Sequence, residues 1–217
     1  MKNIIFIAPV AAGKGTQSEM LIDKYNYEHV STGEIFREII NSGTEIGNEV
    51  KNIINSGKLV DDELTTKIVK EKLEKINGKP FILDGFPRDL TQAITLNEML
   101  DNKKIDYKVI YLEINKETSM KRTLGRMVCK CGRTYNIFID SLKPKVDGIC
   151  DYCGNSLVKR DEDNQETFEV RYSNLMNSLE PVLKLYQDLG KVVIVDANQN
   201  TLDIFKDIEK VVIEWLV

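Results

Sequence analysis

One segment of the chain combines glycines and a lysine between a predicted strand and a predicted helix. It reads Ala8-Pro9-Val10-Ala11-Ala12-Gly13-Lys14-Gly15-Thr16. Glycines permit a backbone whose N–H groups converge on an anion in front of a helix N-terminus, and the lysine adds a mobile positive charge. The segment therefore predicts a phosphate-binding loop, although Ala8 and Ala11 stand where the strict motif has glycine. An ordinary strand-to-helix turn is the alternative.

A second group of candidate residues follows a predicted buried strand. Asp84 ends that strand, and Arg88 and Gln92 come shortly after it. A carboxylate at the end of a central strand can orient water bound to magnesium, and α/β folds bind ligands at the carboxyl edge of the sheet. The segment predicts a site for magnesium and an anion. The alternative is a strand-end turn with a solvated arginine.

A third candidate lies in Ser31-Thr32-Gly33-Glu34, which has the pattern of a capping box. Arg37 follows one helical turn later. A helix N-terminus with an arginine beside it would hold a second anion. A capping box by itself indicates only the start of a helix, and that alternative stays open.

Four cysteines occur in two close pairs, Cys129 with Cys131 and Cys150 with Cys153. Four thiolates in two such pairs suit a closed tetrahedral zinc site, which is structural and not catalytic. The second pair is a regular C-x-x-C, whereas the first is a C-x-C, which chelates with less favourable angles. Four reduced thiols in a segment held by its own hairpins are the alternative.

The composition is that of a globular protein with an acidic balance. The 217 residues are 42% apolar, with a formal net charge of −4. These values exclude disordered and collagen-like classes and disfavour a protein that grips nucleic acid over its whole surface. No apolar stretch reaches the about 18 residues of a membrane span. Residues 4–12 have some character of a signal peptide, but the loop that follows favours a buried strand, so we expect a cytoplasmic protein.

The elements that must position these groups alternate between strand and helix. Strands are predicted at 3–7, 28–30, 80–83, 108–114 and 191–195, and the intervening helices include 14–25, 61–76, 89–101, 116–126, 164–190 and 201–215, with a break at Pro181. This alternation predicts an α/β fold with a parallel sheet and helices on both faces. Residues 128–159, the cysteine-rich segment, interrupt the pattern and are predicted to form an inserted subdomain.

Taken together, the motifs resemble the adenylate kinase family in order and spacing. The resemblance rests on Gly13-Lys14-Gly15-Thr16-Gln17, Ser31-Thr32-Gly33, Lys58-Leu59-Val60, Asp84-Gly85-Phe86-Pro87-Arg88, Gln92, Arg122, Arg126, Arg160 and Arg171. It covers the whole chain, and the cysteine-rich segment resembles the long-lid, zinc-containing form. It implies a P-loop nucleoside monophosphate kinase fold with a core (1–30, 61–126 and 164–217), an AMP-binding part (31–60) and a lid (127–163).

The resemblance also implies roles for individual residues. The catalytic set would be Lys14, Arg88, Arg126, Arg160 and Arg171. ATP would be bound by Ala11, Ala12, Gly13, Lys14, Gly15, Thr16, Arg122, Arg126, Thr134, Tyr135 and the carbonyl near Gln199. AMP would be bound by Thr32, Arg37, Lys58, Leu59, Val60, Gly85, Phe86, Pro87, Arg88, Gln92, Arg160 and Arg171. Asp84 would hold magnesium through water, and Cys129, Cys131, Cys150 and Cys153 would hold zinc.

The expected activity is reversible, magnesium-dependent phosphoryl transfer from ATP to AMP, giving two ADP. Such transfer needs alignment, charge neutralisation and exclusion of water, and no general base, so the single histidine, His29, is expected to be structural. We expect a monomer without nucleic-acid or membrane partners. The alternatives are another nucleoside monophosphate kinase (including one that uses GTP), an inactive nucleotide-binding regulator, and a zinc-ribbon nucleic-acid binder built on the cysteine-rich segment.

Overall fold

The computed structural model describes residues 2–56, 58, 60–76 and 78–215. In chain order the strands are β1 (Asn3–Ile7), β2 (Glu28–Ser31), β3 (Phe81–Asp84), β4 (Tyr107–Glu113), β5 (Arg126–Cys129), β6 (Thr134–Asn136), β7 (Leu157–Val158) and β8 (Val192–Asp196). The helices are α1 (Lys14–Tyr25), α2 (Thr32–Asn41), α3 (Glu45–Asn55), α4 (Asp62–Lys75), α5 (Leu90–Asn102), α6 (Lys116–Leu124), α7 (Gln165–Asp188) and α8 (Thr201–Glu214).

A five-stranded parallel sheet forms the centre of the molecule. Its strand order is β2-β3-β1-β4-β8, so β1 lies in the middle, between β3 and β4. Alternate residues of a strand point to opposite faces of the sheet, and the apolar residues of β1 follow this rule. Ile4 and Phe6 pack with residues of α1 and α8, whereas Ile5 and Ile7 pack with residues of α4, α5 and α7. The predicted α/β fold with helices on both faces is therefore confirmed.

Side chains that cap helices explain where several helices begin. Ser31 accepts a hydrogen bond from the Glu34 N–H at the start of α2, and Asp61 accepts from the N–H groups of Glu63 and Leu64 at the start of α4. Asp89 does the same for the N–H of Gln92 in α5. The first helix differs, because Gly13 precedes it without a capping side chain. Its first N–H groups therefore remain available to a ligand.

Two sequence-based boundaries are wrong. The predicted break at Pro181 does not occur, since α7 continues through it to Asp188. A proline removes one helix hydrogen bond, but Leu179 and Val182 beside it are buried in the core, and this packing holds the helix together. The predicted helix at 116–126 ends at Leu124, and Arg126 begins strand β5 instead.

Two smaller units extend from this sheet. Helices α2 and α3 share a small apolar core with buried Phe36, Val50 and Val60. The cysteine-rich segment contains a three-stranded antiparallel sheet in the order β6-β5-β7, with Val128 of β5 opposite both Thr134 and Val158. Among the described helices, none has the length and apolar character needed to cross a membrane.

Candidate active site

A cavity of about 800 Å³ lies between the phosphate loop, helices α2 and α3, and the cysteine-rich segment. Most of the predicted site residues line it. These are Ala11, Ala12, Gly13, Lys14, Gly15, Thr16, Thr32, Arg37, Lys58, Val60, Asp84, Gly85, Pro87, Arg88, Gln92, Arg122, Arg126, Thr134, Tyr135, Arg160 and Arg171. Residues spread over most of the sequence thus meet around one space, because β1, β2 and β3 all end at the same edge of the sheet.

The phosphate loop joins β1 to α1 and is held from behind by α6. The hydroxyl of Ser119 donates to the carbonyl oxygen of Val10 at 2.5 Å, and Arg122 donates to that of Ala12 at 3.3 Å. Gly13 has a φ of 103°, which only glycine adopts without strain. The loop therefore turns sharply into α1 and directs the N-terminus of that helix at the cavity, as an anion site requires.

Ala11 also has a positive φ, 53°, whereas Ala8 does not. An alanine in this conformation is strained by about 1 kcal/mol relative to glycine. The two alanines that replace expected glycines are therefore not equivalent. Ala8 has no positive φ and therefore does not require glycine, whereas Ala11 is held in place by the contacts around the loop.

We expect Ala11→Gly to change kcat/KM for ATP by less than tenfold, which corresponds to less than about 1.4 kcal/mol. The substitution leaves every backbone N–H donor in place and only relaxes the local strain, so the free energy of unfolding should rise by up to about 1 kcal/mol. Ala8→Gly is the matched control and should lower stability by about 0.5–1 kcal/mol, because its backbone gains only freedom. Steady-state ATP titrations and thermal unfolding measure both. A hundredfold gain in kcat/KM for Ala11→Gly would show that the natural loop is impaired.

Arginine and lysine side chains give the cavity its positive charge. Those among the predicted site residues are Lys14, Arg37, Lys58, Arg88, Arg122, Arg126, Arg160 and Arg171. Burial lowers the pKa of Arg88 to about 10 and that of Arg160 to about 9, and neighbouring arginines act in the same direction. Both groups stay cationic at neutral pH. Their mutual repulsion favours the binding of an anion with several charges to this cluster.

Two of these guanidinium groups have buried N–H donors without a partner. Nε of Arg160 and Nη1 of Arg171 make no hydrogen bond to any described residue. Buried donors are rarely left unpaired, because each costs about 1–3 kcal/mol. Their presence in a cavity lined by other cations indicates a bound anion as the missing acceptor.

Two acidic residues offset part of this charge. Oδ1 of Asp84 lies 3.9 Å from Nζ of Lys14 at the carboxyl end of β3. Asp163 is fully buried, and its Oδ2 accepts from Nε of Arg126 at 2.7 Å. Sequence reasoning missed Asp163, although the acidic run 161–163 directly after Arg160 was a possible signal. Asp163 holds the Arg126 side chain in a defined orientation.

Another part of the cavity is built around Thr32, Gly85 and Gln92. The hydroxyl of Thr32 donates to the carbonyl oxygen of Gly85 at 3.0 Å, and Nε of Arg88 donates to the same oxygen at 2.8 Å. Gly85 has a φ of 85°, and a Cβ there would lie 2.5 Å from Oγ1 of Thr32. Glycine is therefore required at position 85, because any side chain would separate Thr32 from Arg88.

Three of the residues predicted to bind nucleotides do not line the cavity with described side chains. Phe86 is fully buried in the core between the sheet and α5 and α7. Gln199 directs its amide to Asp196 and Asp207, while its carbonyl oxygen accepts from Nη2 of Arg122 at 3.0 Å. Leu59 lies outside the described residues. Phe86 and Gln199 can therefore contribute main-chain groups only.

The four cysteines form one cluster. Their Sγ atoms all lie within 4.8 Å of one another, with Cys129 and Cys153 at 3.3 Å and Cys131 and Cys150 at 3.7 Å. A tetrahedral zinc with bonds of about 2.3 Å needs sulfurs about 3.8 Å apart, so the cluster fits this ion. The shortened C-x-C pair does not prevent convergence. The hydroxyl of Tyr135 lies 3.5 Å from Sγ of Cys150 and faces this cluster.

The fold and the cavity define an α/β nucleotide-binding protein of the phosphotransferase class. A family model described as adenylate kinase matches residues 6–191. The chain is 43% identical over 208 residues to an adenylate kinase of Fervidobacterium nodosum, with 94% of each chain covered. It is 41% identical to one of Thermosipho africanus (97% of this chain and 99% of the relative) and 40% identical to one of Listeria monocytogenes (97% and 98%). The chain belongs to the adenylate kinase family, and its resemblance to that family is confirmed.

Proposed function

We propose that this chain catalyses the reversible transfer of a phosphoryl group from magnesium-bound ATP to AMP, giving two ADP, and so balances the adenine nucleotides. The observation that carries the proposal is the convergence of Lys14 and several arginines on one cavity, where buried donors of Arg160 and Arg171 have no partner among the described residues. Family membership supports ATP and AMP as the substrates. It does not favour the inactive regulator or a kinase for another nucleotide.

In this proposal the two nucleotides enter from opposite sides of the cavity. The loop from Ala11 to Thr16 binds the ATP phosphates, and Arg122, Thr134, Tyr135 and the Gln199 carbonyl surround the rest of ATP. Thr32, Arg37, residues 58–60, residues 85–88 and Gln92 bind AMP. These assignments are supported by the side on which each residue lies, since the loop precedes α1, whereas Thr32 begins α2.

The chemistry needs no nucleophilic side chain. An oxygen of the AMP phosphate attacks the terminal phosphorus of ATP, and the bond from that phosphorus to the bridging oxygen breaks, which leaves ADP on each side. Lys14, Arg88, Arg126, Arg160 and Arg171 neutralise the charge that is spread over the transferred group. Closure of the cysteine-rich segment excludes water, which would otherwise accept the phosphoryl group.

Two metal ions complete the proposal. Asp84 would hold Mg²⁺ through bound water, and its single carboxylate beside the phosphate loop suits an ion that keeps most of its waters. When bound, Mg²⁺ neutralises phosphate charge and aligns the outer phosphates. The four cysteine sulfurs would hold a structural Zn²⁺, supported by their mutual distances. The zinc would have no part in the transfer.

We also propose a division of the chain by role. Residues 1–30, 61–126 and 164–217 form the core, residues 31–60 the AMP-binding part and residues 127–163 the lid. The separate apolar core of α2 and α3 supports the second unit, and the antiparallel sheet supports the third. Arg126 is the last residue of this core range and the first residue of β5, so it lies at the boundary between core and lid.

The acceptor site should prefer AMP to CMP and UMP by at least tenfold in kcat/KM. Thr32 and Gln92 are buried polar residues at the acceptor side, and a polar edge left unpaired by the wrong base costs about 1–3 kcal/mol per group. A coupled assay with each monophosphate, and with ATP, GTP or no donor, tests both the preference and the proposed function. Equal turnover of UMP and AMP would contradict the assignment of these two residues.

A further inference from the structure

We propose that Asp62 fixes the orientation of the Gln92 side-chain amide and thereby makes the acceptor site select adenine against 6-oxopurines. This inference rests on the proposed function, in which Gln92 meets the base of the monophosphate. Asp62 is the first residue of α4 and is not among the residues that line the cavity. It would act through Gln92, as a positioning residue.

Both ends of the Gln92 amide are already held by the protein. Nε2 donates to Oδ1 of Asp62 at 2.6 Å, and Oε1 accepts from the backbone N–H of Arg88 at 2.8 Å. An ionised carboxylate only accepts hydrogen bonds, and a backbone N–H only donates them. A flipped amide would therefore set oxygen against oxygen and N–H against N–H. With Gln92 only 2% exposed, water cannot relieve either conflict.

When it is held in this way, the Gln92 amide still has one free hydrogen-bond donor and one free acceptor. Nε2 retains a second N–H, and Oε1 retains a second lone pair. Adenine presents an amino donor at C6 and an acceptor at N1, which match one orientation of an amide. Hypoxanthine and guanine present an oxygen at C6 and an N–H at N1, which match the reverse orientation. A freely rotating glutamine reads both bases, whereas a glutamine held by Asp62 and Arg88 reads only one.

Asp89, the other carboxylate beside Gln92, does not share this role. Its Oδ1 accepts from the backbone N–H of Gln92 at 2.9 Å and so caps α5. It fixes the backbone of Gln92 and can affect the amide only through Asp62. Burial raises the pKa of Asp89, and the charge of Asp62 and a hydrogen bond between the two side chains act in the same direction. Among the described residues, Asp62 is the one acceptor for Nε2.

The test compares AMP with IMP as acceptors in wild type and in Asp62→Asn. An asparagine amide can present either its oxygen or its NH₂ to Gln92, so it removes the oxygen–oxygen conflict and leaves only the Arg88 N–H to oppose the flipped amide. We expect the ratio of kcat/KM for AMP to that for IMP to fall at least tenfold, through a higher KM for AMP and with kcat for AMP changed less than threefold. If Asp62 had only a structural role, kcat/KM would fall for AMP and IMP together, and the ratio would stay unchanged.

Asp61→Asn is the matched control. Asp61 is adjacent and caps α4 by accepting from Glu63 and Leu64, a role that asparagine fills equally well. This variant should keep the wild-type ratio. If Asp62→Asn does not fold, Asp62→Ala takes its place, because alanine is well tolerated at the start of a helix.

Gln92→Ala separates failure of the inference from failure of the proposed site. If its ratio stays at the wild-type value, Gln92 does not meet the base, and the proposed acceptor site is wrong. If its ratio falls while a folded Asp62 variant keeps the wild-type ratio, only the role of Asp62 is overturned. A wild-type enzyme that uses IMP as well as AMP would also overturn it.

Discussion

Replacement of Arg88 or Arg171 by alanine is expected to lower kcat by about three orders of magnitude, the scale of a lost transition-state arginine. Both side chains line the cavity where the two substrates are proposed to meet, and Nη1 of Arg171 is buried without a partner among the described residues. The phosphoryl group in transfer carries charge that these groups neutralise. Steady-state kinetics with ATP and AMP measure the effect directly.

The melting temperature of these two variants should not fall together with their kcat. Burial lowers the pKa of both Arg88 and Arg171, which means that their charged forms are disfavoured in the folded, ligand-free protein. Removal of one charge relieves this penalty, so the ligand-free variants should melt at the wild-type temperature or above it. Arg133→Ala is the control, because Arg133 lies outside the cavity, 3.9 Å from Glu19, and should keep its kcat. A variant of Arg88 or Arg171 with near-normal turnover would remove that residue from the catalytic set.

Removal of the proposed zinc should cost the protein more stability than activity. Protein prepared with sufficient zinc should contain one ion per chain, and a strong chelator should lower its melting temperature clearly. The physical reason is that only the folded state presents four sulfurs within 4.8 Å of one another, so binding adds directly to the free energy of unfolding. A ligand present at a thousand times its Kd adds about 4 kcal/mol.

Metal analysis and thermal unfolding, with zinc added back as the control, decide this prediction. Restored zinc should restore the melting temperature. Activity below the lowered melting temperature should decline less, because the cysteines are not part of the cationic cluster around the phosphates. A metal content near zero would instead support four reduced thiols and would identify the shortened pair of Cys129 and Cys131 as the reason.

The sequence predicts most of the fold because its signals are local. Apolar strands, capping residues at Ser31, Asp61 and Asp89, and glycines at turns each act within a few residues, and the structure agrees with them. Pro181 shows where a local rule fails, since tertiary packing on both sides of it outweighs one lost hydrogen bond. Arg126 shows the same at a helix end, where pairing with Asn136 in a sheet replaces the last turn.

The sequence predicts most residues of the candidate site but not the contacts that these residues make. Motifs identify Gln92 and Arg126, whereas their partners Asp62 and Asp163 are 30 and 37 residues away and carry no motif. Such pairs depend on how the elements pack. The positive φ of Ala11 is equally invisible, because an alanine normally indicates a negative φ, and only the geometry of the loop requires otherwise.

The register of β5 with β7 also bears on how this protein can evolve. Val128 faces Val158, so the chain leaves the core and returns to it at neighbouring points. The segment between these points can become longer or shorter, or change its cysteine pairs, without shifting α6 or α7. Because the entropy of closing a loop changes only slowly with its length, such changes would disturb the folding of the core little. The cysteine-rich segment can thus diverge in size and in its cysteine pairs while the phosphate loop and the parallel sheet stay unchanged.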